Sequence, residues 1–74
     1  MEEQIKGLLA DILNIDSESI DASTSMDNTA SWDSVNHLNV CYGIEEEFDI
    51  SLEVFEMESM ISFSHIVQIV KTKL

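Results

Sequence analysis

The sequence predicts an all-α domain: a small up-down bundle of three main helices plus one short one, with a long first loop. Three observations predict it. Apolar residues recur at helical spacing in three separate segments. Only Ile50 and Leu52, alternating with Asp49 and Ser51, have the period of a strand, and a lone strand would have no partner. Seventy-four residues, 45% of them apolar, allow one domain over residues 1–74 with one small core.

The first helix is expected from about Glu2 to Ile15. Ile5, Leu8, Leu9, Ile12 and Leu13 make its apolar stripe. Glu2 and Glu3 stand in the first turn, where negative charge suits the dipole. Asp16-Ser17 ends it. Residues 16 to 33 form a polar connection, long for so small a domain, with Ile20 and Met26 as anchors into the core. Its acids lack the alternating ligands, central Gly and closing Glu of an EF-hand loop.

The second helix starts at Asp33-Ser34. Asp33 is suited to be the N-cap, which puts Ser34 at the first helical position, exposed and next to the positive end of the dipole. A phosphate esterified to that hydroxyl would sit where helix N-termini favour anions. Val40, Ile44 and Phe48 form an i, i+4, i+8 row toward the core, flanked by Leu38 and Cys41. Val35 and Tyr42 share a neighbouring face. Gly43 weakens the helix by about 1 kcal/mol relative to Ala and leaves room for close approach of a backbone or an apolar chain. Trp32 is expected to pack its ring over the loop.

Ile50 and Leu52 are read as a turn with two inward residues. A short third helix covers Glu53 to Ser59, with Phe55, Met57 and Met60 as adaptable apolar surface. Ser62 caps a last helix running to about Lys73, with Phe63, Ile66, Val67 and Val70 inward.

Fifteen acids face three lysines, a net charge of −12. Nucleic acid and anionic membrane would repel such a chain, whereas basic protein surfaces would attract it. No apolar run approaches a membrane span, and no leader pattern opens the sequence, so the expected location is the cytoplasm. The single cysteine fits a reducing compartment. Asp33, Ser34 and His37 look like parts of a triad but occupy less than one helical turn, with no pocket or oxyanion hole implied. His37 and Cys41 are too few ligands for zinc. The expected catalytic and metal residues are therefore none. His37 is read as a solvated helix residue and His65 as a first-turn residue of the last helix.

Asp33-Ser34-Val35, an apolar-striped helix and then Glu46-Glu47-Phe48 resemble the acyl carrier protein family, over nearly the whole chain and without gaps. The resemblance implies a covalent 4′-phosphopantetheine arm on Ser34, attached by a phosphopantetheinyl transferase. The arm's thiol, not Cys41, would then hold acyl groups as thioesters. It implies a non-enzymatic monomer that delivers cargo to acyl-loading and acyl-transferring enzymes of fatty-acid, polyketide or another specialised pathway. Asp33, Val35, Glu45 and Glu46 are the expected docking residues. In the family the region of the third helix closes over the carried chain. Three features depart from the pattern. Ser31-Trp32 precedes Asp-Ser where glycine and a small residue are common, and Asn36 and Asn39 replace residues that are often acidic. Trp before Asp-Ser is commoner in discrete, dedicated carriers. The rival reading is an acidic interaction module that carries nothing.

Glu45 and Glu46 oppose the dipole at the C-terminal end of their helix and are poor choices for stability alone. Self-repulsion at −12 should be relieved by counterions. The thermal midpoint near neutral pH is therefore expected to rise with added salt or millimolar magnesium. A midpoint indifferent to both would mean that the acids are spaced too widely to strain the fold.

Overall fold

The computed structural model describes every residue from Met1 to Leu74. Helix α1 spans Glu2–Leu13, α2 Ser34–Phe48, α3 Val54–Ser59 and α4 Phe63–Lys73, and the first loop holds two 3-10 turns, Ser17–Ser19 and Met26–Asn28. The expected all-helical bundle is what forms.

Each long helix buries its apolar stripe. Ile5, Leu9 and Leu13 come from α1, Val40, Cys41 and Ile44 from α2, and Phe63, Ile66, Val67 and Val70 from α4. Ile20, Trp32, Leu52 and Met60 from the connections complete one core. Gln4 near the start of α1 bonds to Glu47 near the end of α2, and Leu8 meets Gly43, so these helices run antiparallel. Lys6 Nζ lies 5.9 Å from the centre of the Phe63 ring and adds a cation–π contact between α1 and α4.

Helix α1 stops two residues earlier than its periodicity suggests. Asn14 turns left-handed (φ 56°, ψ 48°), and the Ile15 N–H reaches back to the Ala10 carbonyl at 3.1 Å. Helix α2 ends the same way, with Asp49 at φ 53° and the Ile50 N–H on the Glu45 carbonyl at 3.1 Å. This is the Schellman ending, a left-handed residue followed by an apolar one. Asn and Asp are the non-glycine residues that tolerate that conformation best.

The first loop is built from side-chain caps. Asp16 accepts from the Glu18 N–H, and Asp21 accepts from both the N–H and the hydroxyl of Ser23. Those two bonds hold the Asp21 carboxyl below its ordinary range. Ile20 is buried as expected, and Met26 packs on the core half-buried. The loop is pinned to the entry of α4: the Phe63 N–H donates to Thr24 O and the Met26 N–H to Ile61 O.

Three expected placements differ. Leu38 does not flank the core but is 49% exposed, because residues 40, 41 and 44 set the buried face and residue 38 falls off its edge. Cys41 is wholly buried rather than flanking. Phe55 projects into solvent, while Met57 is half-buried and Met60 fully buried.

What Gly43 admits is side chains from α1. A Cβ there would lie 3.2 Å from both methyls of Leu8 and 3.3 Å from Ile12 Cδ1. Both contacts are the flexible ends of half-buried side chains. Gly43→Ala is therefore expected to be nearly neutral, its gain of about 1 kcal/mol in helix propensity offset by the tight contact. Gly43→Leu is expected to cost about 1–3 kcal/mol by overpacking the α1–α2 contact, measured by urea denaturation.

Candidate functional site

The candidate site is built on the first turn of α2. Asp33 is extended (φ −98°, ψ −174°) and its carboxylate accepts from the Asn36 N–H at 2.9 Å. Ser34 is the first helical residue and is exposed, as expected. The opening amides of a helix have no intrahelical partner, so the serine hydroxyl lies beside unused donors. Asn36 fastens the segment before it, donating from Nδ2 to Ser31 O at 2.8 Å. An aspartate at this position has no N–H to give, which accounts physically for an amide here in place of an acid.

Trp32 and His37 form a second fastening beneath the serine. Trp32 is only 2% exposed, so the expected burial of its ring is observed. Its indole N–H donates to His37 Nδ1 at 3.1 Å. An indole nitrogen can only donate, so Nδ1 carries no proton and Nε2 does. Nε2–H then donates to the carbonyl of Met57 in α3 at 2.7 Å. His37 is therefore not a solvated helix residue: it is half-buried and joins the loop, α2 and α3. Both ring nitrogens are engaged away from Ser34, so neither is poised to take a proton from it. Cys41 Sγ lies 3.7 Å from Nε2. Burial, with a smaller contribution from the charge of Glu45, pushes the Cys41 thiol up to about 11.

The four expected docking residues divide into two pairs. Asp33 and Val35 flank Ser34 and are exposed, Val35 by 70%. Glu45 and Glu46 lie near the far end of the helix. Glu46 is exposed, while Glu45 is half-buried and its Oε2 accepts from the Leu52 N–H at 2.9 Å. Glu45 thus has a structural use that its position against the dipole did not suggest: it fixes the turn between α2 and α3. Leu38 and Tyr42 extend the exposed apolar line from Val35 along α2, at steps of three and four residues. The seven-residue spacing of Val35 and Tyr42 already puts Tyr42 on this face. The use of His37 had no local signal, because its partners are five residues back and twenty residues on.

On α3, the Glu56 carboxylate accepts from the Glu53 N–H and pairs with Lys73 of α4 at 2.8 Å. The Glu53 amide first and Lys73 second hold its carboxyl below the ordinary range. No helix is long and apolar enough to cross a membrane.

No protein-family model matches the chain. A protein of Clostridium acetobutylicum named acyl carrier protein is 32% identical to it over 69 residues, covering 93% of this chain and 90% of that protein.

A buried thiol raised to about 11 holds almost no thiolate at neutral pH, and thiolate is the reactive form. Cys41 is expected to resist alkylation by iodoacetamide near pH 8 in the folded protein and to react fully in denaturant. Rapid labelling of the native protein would show that the core around Cys41 opens readily.

Proposed function

The chain belongs to the acyl carrier protein family, and from that premise we propose that it carries acyl groups on a 4′-phosphopantetheine arm esterified to Ser34. It is a carrier and not an enzyme. The observation that carries the assignment is the exposed Ser34 hydroxyl at the first position of α2, capped by Asp33 and fastened from below by Asn36 and Trp32. These residues fit the group: the helix N-terminus favours its phosphate, and the Asp33 carboxylate is turned to the Asn36 amide. When bound, the arm supplies a thiol that holds cargo as a thioester.

The protein's own residues supply position and recognition. The stapled first turn holds Ser34 in one orientation for a phosphopantetheinyl transferase. Val35, Leu38 and Tyr42 offer an apolar contact line leading away from it. Glu46, with the remaining charge of Glu45 and that of Asp33, steers partners with basic surfaces. Trp32 and the two asparagines at 36 and 39 favour a dedicated carrier in a specialised pathway over bulk fatty-acid synthesis. We read the carrier as a cytoplasmic monomer.

Incubation with coenzyme A and a broad-specificity transferase is expected to add one phosphopantetheinyl group by intact mass, and Ser34→Ala to abolish the gain. A wild-type protein left unmodified by several such transferases would favour the interaction-module reading. In the same assay Glu46→Lys is expected to slow modification at low salt, with the difference shrinking at high salt. Glu45→Gln keeps an acceptor for Leu52 and so tests charge without removing the turn contact.

A further inference from the structure

A groove of about 340 Å³ lies between α1 and the last turn of α2, away from the face that carries Ser34. Leu8 and Ile12, both half-buried, form its floor, and the exposed carboxylates of Glu3, Asp11 and Glu47 stand at its rim. Glu3, Gly7 and Asp11 follow an i, i+4, i+8 row, so the glycine lies between the two α1 carboxylates on one edge of the helix. Gly7 has no backbone need of its own: its φ is not positive, and a Cβ there would meet nothing within 4 Å. Glycine weakens a helix interior relative to alanine, and nothing in this chain uses the space that Gly7 leaves. Gly43 is the contrast, because Leu8 and Ile12 fill the space above it.

No cation of the chain answers these three acids. The one ion pair joins Lys73 to Glu56. Lys6 is turned to the Phe63 ring, and its charge acts on Asp21. Lys71 lines a separate hollow against Phe63. By helix geometry Glu47 stands about 20 Å along α2 from Ser34 and roughly 150° around it from the line of Val35, Leu38 and Tyr42.

We propose that the α1–α2 groove is a second protein-docking surface, shaped for an arginine carried beside an apolar side chain on a partner segment, and open to that partner while the Ser34 face is engaged elsewhere. Close approach at Gly7 brings a cation between Glu3 and Asp11 and across from Glu47. Arginine suits the site better than lysine: its stem lies on Leu8 and Ile12, and its weakly hydrated planar fork pairs with carboxylates. Nucleic acid and anionic membrane share the sign of the rim and are repelled. A partner held here raises the carrier's local concentration near the enzymes that use Ser34 without covering them. Only that benefit rests on Ser34 being the attachment residue; the docking itself does not.

The test uses the full chain and a short alanine-based helical peptide with arginines and leucines on one face, titrated at low salt and followed by amide shifts. Shifts are expected at Gly7, Leu8, Asp11 and Glu47, with Val35, Leu38 and Tyr42 silent. Gly7→Gln fills the gap with a neutral, helix-forming side chain, so it is expected to melt higher yet bind about tenfold more weakly, while Ser34 is phosphopantetheinylated at the wild-type rate. Neutralising the rim, as Glu3→Gln, Asp11→Asn and Glu47→Gln together, should weaken binding by about tenfold or more, and an equal change of charge at Glu18→Gln, Asp27→Asn and Glu58→Gln by less than about threefold. Serine in place of the peptide's leucines should also weaken it. Absence of binding, equal losses from the two charge sets, indifference to the leucines, shifts centred on Val35, or a Gly7→Gln chain that binds as wild type or is modified more slowly each overturn the proposal. A chain that binds the peptide in the groove and is never phosphopantetheinylated keeps the docking surface and loses the carrier role.

Discussion

The structure depends on a single imidazole held between two groups that cannot be left alone. Trp32 is the largest fully buried side chain, and it brings a polar N–H into the core with it. A buried donor without an acceptor costs about 1–3 kcal/mol. His37 Nδ1 is the acceptor it receives, which fixes the tautomer and turns Nε2–H toward Met57. One side chain therefore sets the position of the loop, the start of α2 and the docking of α3. Helix α3 needs this most. It has six residues, none of them buried, and a helix of that length is not stable by itself. It is held by the Met57 carbonyl, by the Glu53–Glu56 cap, by Lys73 and by Met60 just beyond its end.

The charge of the chain is organised around the same elements. Several acids have local uses: Asp16 and Asp21 shape the first loop, Asp33 starts α2, Glu45 fixes the following turn, and Glu56 ties α3 to α4. Most of these accept from backbone N–H groups, so the acids substitute for caps and ladder bonds that so small a fold lacks. Glu46 stands outside that set, exposed in the last turn of α2, and its field opposes the dipole there. A charge with no structural use, on a helix with an exposed apolar line, is available for recognition.

Much of the fold was legible because it rests on periodicity. The buried stripes of α1 and α4 follow directly from residue spacing, and the Asp33 and Ser62 caps from their place before it. The misjudged features have a common cause. The apolar pattern continues past Asn14 to Ile15 and hides the helix end, because that isoleucine is the apolar partner of a Schellman ending. His37 and Glu45 read differently from the sequence because their environments are set by residues from other segments. A polar residue between apolar ones reads as surface until its partners are known. At the site, the position of Ser34 was readable from Asp33 alone, whereas the fastening beneath it requires Ser31, Trp32 and Met57 to be brought together in space.

Rigidity in this small domain is spent unevenly, and the distribution follows from its geometry. Three side-chain bonds tie the first turn of α2 to other segments, at Asn36 and His37, and the far end is held by Glu45 to Leu52 and Glu47 to Gln4. The exposed line of Val35, Leu38 and Tyr42 on the same helix has no partner in the chain. A flexible tether attached to a mobile base would have to fix both on reaching a partner, and each ordered degree of freedom weakens the encounter. Fastening the base leaves only the tether to be ordered. The loop before Ser34 is long because it must bring Trp32 under the helix, and it stays ordered because that indole has one acceptor to find.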